Sequence, residues 1–302
     1  MNPVNMTNRR KMLLASGAVA TAAAIPGRSF GDDAPTKNPI CVFTKPFNSL
    51  SHDELADKIA ELGFDGIEAP IRPGGHIEPK NVEKELPKLV EALAKRNLKI
   101  TVLTSDINDP KNPLSKRVIR TAATLGIKRY RMKYLKYDLD QPITDQLDAW
   151  KPQMEELAAL NHDFGIQGLY QNHAGEKYLG SAIWDLRELL AKIDPQDIGV
   201  AYDIRHATVE GANSWPVTFD IIKPHVTTVY VKDFRWDGKK VVNVPLGTGN
   251  VNPAFFEILK KTGFTGPISL HEEYLNHRDP DLVPKHWAAI KNDLKVLKQM
   301  LS

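Results

Sequence analysis

The sequence predicts an α/β chain built as a closed (β/α)8 TIM barrel, one domain after an N-terminal signal segment. Short β-branched stretches alternate with amphipathic helical patterns along the body, which implies parallel strands joined by crossover helices. Eight such strands fit into about 270 residues after the leader, the count and size of a closed barrel. An open doubly wound sheet is the competing topology; it usually carries a glycine-rich phosphate turn after the first strand, and "FTKPFNSL" has none.

The leader comes first in the chain. "NRRKMLLASGAVATAAAIPGRSFG" pairs Arg9 and Arg10 with an apolar run from Met12 to Ile25 and a small-residue ending at Ser29 and Gly31. This predicts a twin-arginine-type export signal over 1–31, followed by the barrel over 32–302. The expected location is therefore exported and periplasmic, with no stable membrane insertion after processing. Removing the leader takes away Arg9, Arg10, Lys11 and Arg28, so 40 basic residues become 36 against 37 acidic ones. A near-neutral body has no basic field, and nucleic acid is excluded as an expected partner. Cys41 is the single cysteine, which rules out an internal disulfide and a CxxC site. Metal ligands would have to come from His, Asp, Glu and Gln.

The strand "ICVFT" from Ile40 opens the body. "SHDELADKIAELGFDGIEAP" then places Ser51 as an N-cap with Glu54 three residues on, a capping box, and Leu55, Ile59 and Leu62 on one face. Gly63 caps the C-terminus and a strand runs from Gly66 to Ala69. Further strands are "LKITVLT" from Leu98, "KRYRMKY" from Lys128, "QGLY" from Gln167, "IGVAYD" from Ile198 and "VTTVYVKD" from Val226. Helical patterns fill 81–96, 115–125, 142–164, 181–192 and 214–222. "NPAFFEILKKTGFTGPISLHEEY" repeats the first joint: Asn252 caps, Pro253 takes the first turn, Gly263 ends the helix and the eighth strand follows Pro267. A last helix puts Leu282, Trp287, Ile290, Leu294, Leu297 and Leu301 on one stripe.

A barrel places its active site where the strands end, so the polar residues there are the candidates. After strand 2 stand Glu68, Arg72 and His76, with Arg72 and His76 expected to bind substrate. Strand 4 carries Arg131 and Lys133 at alternate positions, and Lys133 is expected in the site as a catalytic cation. Strand 5 delivers Gln171, Asn172 and His173, with Gln171 and His173 on one side. Strand 6 gives Asp203 and His206 in DxxH spacing; strand 7 gives Tyr230, Lys232 and Asp233; strand 8 gives His271, Glu272 and Glu273. A cluster of His173, Asp203, His271 and Glu273 suits a divalent cation such as Mn, Zn, Co or Mg. Such an ion would polarise a carbonyl and acidify the neighbouring C–H, leaving proton transfer to His173, His206, Lys133 or Lys232. Asn172, Tyr230 and Glu273 complete the expected substrate contacts.

These stretches together resemble the xylose-isomerase-like barrel superfamily of sugar phosphate isomerases and epimerases, over roughly 38–300. "GFDGIEAP", "YQNHAG", "YDIRH", "YVKD" and "GPISLHEEY" are similar, in order, to its second-, fifth-, sixth-, seventh- and eighth-strand motifs. The resemblance implies metal positions at Gln171, Asp203, Tyr230 and His271. Only Asp203 keeps the usual residue there; Gln stands for Glu, Tyr for His and His for Glu. The expected activity is that of a metal-dependent sugar isomerase or epimerase with a rearranged ligand set, acting on a small carbohydrate. A metal-dependent lyase on 3-keto-glycosides and a non-catalytic sugar-binding barrel are the alternatives. Self-association into a homo-oligomer is compatible with the sequence.

Overall fold

The structure is a computed structural model, and it describes residues 38–302; the expected signal over 1–31 lies outside the described residues. Eight strands close a barrel: β1 (Ile40–Phe43), β2 (Gly66–Pro70), β3 (Ile100–Thr104), β4 (Arg129–Arg131), β5 (Gln167–Gln171), β6 (Ile198–Asp203), β7 (Val226–Val231) and β10 (Ile268–Leu270). They pair in the cyclic order β1, β10, β7, β6, β5, β4, β3, β2, and every pair is parallel. The expected closed barrel is therefore present, with all eight strands where the pattern put them. Between β7 and the next helix the chain inserts an antiparallel hairpin, β8 (Asp233–Asp237) and β9 (Lys240–Val244), which is not among the expected elements although its turn carries the Asp237-Gly238 pair.

Helices cover the outside: α1 (His52–Leu62), α2 (Val82–Ala94), α3 (Pro113–Thr124), α4 (Ile143–Phe164), α5 (Trp184–Leu189), α6 (Ile204–Gly211), α7 (Trp215–Ile222), α8 (Ala254–Lys261) and α9 (Val283–Met300). The capping box forms as expected, with Ser51 Oγ accepting from Glu54 N at 3.3 Å and Glu54 Oε2 accepting from Ser51 N at 2.9 Å. Asn252 Oδ1 accepts from Ala254 N at 2.9 Å, so it caps α8 although Pro253 sits just before the helix. The two glycine joints are one device used twice. Gly63 and Gly263 take φ of 77° and 70°, left-handed values that favour glycine. At Gly66 a Cβ would stand 2.4 Å from Thr101 Oγ1, and at Gly266 it would stand 2.2 Å from Thr227 O. The first glycine turns the chain and the second lets it slip into the barrel wall.

The main core lies between the barrel wall and the helices, and a second, small cluster of Val102, Leu169, Ala201 and Tyr230 fills the barrel itself. Beyond β7, Asp233 is buried and organises the return of the chain. Its carboxylate accepts from the backbone N–H of Phe234, Gly247, Gly249 and Val251 at 2.8 to 3.0 Å. Among the described residues no helix is long and apolar enough to cross a membrane.

Candidate active site

Alternation along each strand sends every second side chain inward, and the last inward position of each meets the others at the C-terminal mouth. Glu68, Arg131, Gln171, Lys232, His271 and Glu273, with Phe43, Lys45, Arg72, Tyr134 and His173, line a cavity of about 170 Å³ there. Lys45 and Arg72 also line a wider cleft of about 730 Å³, which continues outward past Asp106 and Arg278.

Lys232 organises one half of the cavity. Its Nζ stands 3.2 Å from Asp203 Oδ2 and 2.9 Å from Glu273 Oε2, and the side chain is 5% exposed. Burial pulls its pKa down, but Asp203 and Glu273 outweigh burial and hold it above the ordinary lysine range. Lys232 is thus a permanent ammonium. One of its N–H bonds is donated to Glu273 Oε2, Asp203 holds it as an ion pair, and donor capacity is left for another acceptor. Glu273 answers in kind: burial pushes it up, yet Lys232 and His271 hold it well below the usual carboxylate range.

Gln171 explains why an amide ends β5. Its Nε2 donates to Asp203 Oδ2 at 2.7 Å while its Oε1 accepts from Tyr134 O–H at 2.6 Å. A glutamate there could not donate to Asp203, so the amide is what lets two neighbouring acceptors coexist. The other carboxylate oxygen of Asp203, Oδ1, accepts from His206 N at 3.1 Å, capping α6.

Glu68 organises the other half. Fully buried, it accepts from Thr104 Oγ1 at 2.5 Å, Ser269 Oγ at 2.7 Å and His271 Nε2 at 2.8 Å. Burial raises its pKa, but the neighbouring His271 and the donated hydrogen bonds win and bring it to about 2. Arg131 is buried nearby, its guanidinium 4.9 Å from the Tyr134 ring centre.

The His173 tautomer follows from its partner. Nδ1 lies 2.8 Å from the Ala174 carbonyl, which can only accept, so Nδ1 carries the proton and Nε2 keeps a lone pair. Burial and the Lys232 charge lower its pKa to about 4, so the ring is neutral at neutral pH. His206 stacks on it with ring centroids 4.0 Å apart. Arg205 Nη1 reaches His206 Nδ1 at 3.0 Å and can only donate, which places the His206 proton on Nε2, 3.5 Å from Asp203 Oδ2.

Of the expected site residues, Gln171, His173, Lys232, His271, Glu273 and Arg72 line the cavity, with Asp203 bonded directly behind it. Five stand elsewhere. Lys133 is exposed, because β4 ends at Arg131 and alternation ends with it; Arg131 points in instead. Asn172 spends both ends of its amide on the Asp203 backbone, accepting from N at 2.7 Å and donating to O at 3.1 Å. His76 bonds Thr44 Oγ1 at 2.9 Å, and Thr44 in turn donates to the Glu68 carbonyl. Tyr230 is fully buried in the barrel interior, its ring 4.5 Å from His271. His206 is a floor under His173 and does not line the cavity. The sequence pattern offers no reason to select Lys45 or Tyr134 or to assign Glu68 a role, and of the strand 4 pair Arg131 and Lys133 it is Arg131, the one not preferred, that reaches the cavity. Glu68 carried a legible sign, a lone carboxylate inside the apolar strand "GIEAP"; Lys45 and Tyr134 reach the cavity from loops and carried none.

The fold and this polar mouth define a parallel (β/α)8 barrel with a polar cavity at the C-terminal ends of its strands. The chain belongs to the xylose isomerase-like TIM barrel family, whose profile matches residues 56–300. It is 24% identical over 240 residues to an uncharacterised protein of Methanocaldococcus jannaschii, covering 74% of this chain and 79% of that one. Among solved structures it is similar to a xylose isomerase domain protein from Planctomyces limnophilus, with a TM-score of 0.67, 14% identity and coverage of 87% and 97%. It is also similar to 3-keto-D-glucoside 4-epimerase from E. coli, with a TM-score of 0.64, 15% identity and coverage of 84% and 99%. D-psicose 3-epimerase from Clostridium cellulolyticum gives a TM-score of 0.66, 11% identity and coverage of 87% and 99%. At these identities the solved structures speak for the fold.

The divalent cation that the family resemblance implies does not fit the residues present. The four positions hold one carboxylate, an amide, a phenol and an imidazole. Gln171 turns its N–H₂ toward Asp203, His271 gives Nε2 to Glu68, and Tyr230 is packed in the apolar cluster. Lys232 and Gln171 share Asp203 Oδ2, the oxygen that a cation in this cavity would need. Among the described residues no three His, Cys, Asp or Glu side chains converge as a metal site requires.

Proposed function

We propose that this chain is a sugar isomerase or epimerase that moves a proton at the carbon next to a carbonyl, with the Lys232 ammonium as the fixed cation polarising that carbonyl. The observation that carries this reading is the ammonium itself, hydrogen-bonded to Glu273 and ion-paired with Asp203, with N–H capacity left for a bound oxygen. Held there at no cost of reorganisation, it stabilises charge that develops on a bound oxygen. His173 Nε2 then takes the proton from carbon, and the electron pair moves onto the carbonyl oxygen against Lys232. Delivery of a solvent-exchanged proton to the other face of the same carbon gives the epimer; delivery to the former carbonyl carbon, with the neighbouring hydroxyl proton passing to the old carbonyl oxygen, gives the isomer. Glu273 adds a second proton acceptor, since its Oε1 is not engaged by Lys232. A base with a pKa of about 4 is weak for a carbon acid, so the reaction depends heavily on the lysine.

The test is solvent exchange. The purified chain is incubated in D₂O with ketoses and 3-keto-glycosides and the products are read by NMR. Deuterium entering an intact sugar beside its carbonyl is the expected result, with the rate reduced about 10²- to 10³-fold in Lys232→Met. Release of an aglycone without exchange would instead mark an elimination and overturn the proposal, as would unchanged exchange in Lys232→Met.

A further inference from the structure

The neck of the cavity holds cations that form no salt bridge among the described residues. Lys45 follows β1 and Arg72 follows β2, and both line the inner cavity and the outer cleft, so they stand at the passage between the two. Just inside is Arg131, 3% exposed, with Nη1 buried and without a hydrogen-bond partner. The carboxylates of the site are already committed: Asp203 and Glu273 to Lys232, and Glu68 to His271. The cleft outside adds Arg278 to the positive side and Asp106 to the negative. Both guanidiniums rest over aromatic rings, Arg72 at 5.8 Å from the centre of Phe43 and Arg131 at 4.9 Å from that of Tyr134. An aromatic face supports the plane of a guanidinium and leaves its N–H edge open to a planar or tetrahedral anion.

Half-burying cations with no carboxylate in salt-bridge contact is costly, and a bound anion relieves that cost. The neighbours register that cost. Lys45 is pushed down by burial and by Arg72, Lys232 and Arg278, with Glu273 opposing; Arg72 is pushed down by burial and by Arg131, with Asp106 opposing.

We infer that the substrate of this site is an anionic sugar, whose carboxylate or phosphate seats at the neck between Lys45 and Arg72 while its carbonyl end reaches Lys232. This rests on the carbohydrate reading above, but its test needs no turnover. Isothermal titration of the full chain with D-glucose, D-glucuronate and D-glucose 6-phosphate compares one sugar frame as neutral, carboxylate and phosphate. A charged member is expected to bind about tenfold or more tightly than the neutral one at low salt. That advantage weakens as salt is raised. Whichever charged arm prevails identifies the group. In Arg72→Gln the charged member is expected to lose several-fold more affinity than D-glucose does, so its advantage shrinks. Equal binding of all three, no saturable binding by either charged sugar, or an equal loss for neutral and charged members in Arg72→Gln would each overturn the inference. Failure of proton exchange alongside a preserved anion preference would instead count against the proposed reaction alone.

Discussion

Asn172 shows how a residue can shape this site without touching it. By accepting from the Asp203 N–H and donating to its carbonyl, it fixes the backbone from which the carboxylate reaches Lys232 and Gln171. Asn172→Ala is expected to destabilise the chain by about 1–3 kcal/mol in urea denaturation, the usual result of leaving buried polar groups unpaired. Asn172→Asp should cost more, because a carboxylate keeps the acceptor but sets a second one against the Asp203 carbonyl; an Asp variant as stable as wild type would contradict this role. The residue scale is also where sequence is most unevenly legible. Gln171, His173, Lys232, His271 and Glu273 can be read because alternation from a recognised strand end is a local rule. Asn172 and His76 have the right types for function, yet each is spent on a partner that sequence does not place nearby, while His206 is held by its neighbours Arg205 and Asp203 beneath His173. For Lys133 the local rule itself runs out, since β4 stops two residues earlier.

Elements are the more legible level. Caps, glycine stops and helical stripes act within a few residues, so the capping box and both glycine joints appear where the sequence put them. The hairpin β8–β9 carries a local sign in Asp237-Gly238 at its turn, but its anchor is distant: Asn243 accepts from Arg205 Nη2 at 2.8 Å and donates to the Glu273 carbonyl at 3.2 Å. The doubled joint makes a prediction of its own. Gly66→Ala and Gly266→Ala drive a methyl against backbone or side-chain oxygens, and each is expected to destabilise by about 1–3 kcal/mol or more. Gly63→Ala has open space around its Cβ and pays only the left-handed φ, about 1 kcal/mol. Thermal melts of the three variants should rank them in that order, and a Gly63 variant worse than both others would refute the close-approach explanation.

For the whole molecule, closure ties the last helix to the return loop through a buried acid. Asp293 on α9 accepts from Leu246 N and from Tyr274 O–H, each at 3.1 Å. Burial raises its pKa to about 6, helped by Glu272 and Asp233 and opposed by those two hydrogen bonds. The folded state therefore holds this proton more tightly than the unfolded chain, whose carboxyl releases it near 3.8. Its contribution is fully present below about pH 4, is lost between pH 4 and 6, and stays lost above. Asp293→Asn should flatten that part of the stability profile and raise stability at pH 7 by on the order of 1–3 kcal/mol. Urea midpoints at pH 4, 5 and 7 check it; an unchanged slope in the variant would assign the pH dependence elsewhere. Such a link joins segments nearly fifty residues apart, which is why no reading of the sequence finds it.

The hydrogen bonds around Gln171 and His271 also bear on how this chain could change by mutation. Placing Glu at 171 alone would put a second carboxylate 2.7 Å from Asp203, and placing Glu at 271 alone would turn one against Glu68. Either change is penalised until a divalent ion arrives, and no single one of them builds a place for that ion. Neither substitution alone therefore converts a site built on a tethered ammonium into the ligand set that the family resemblance implies.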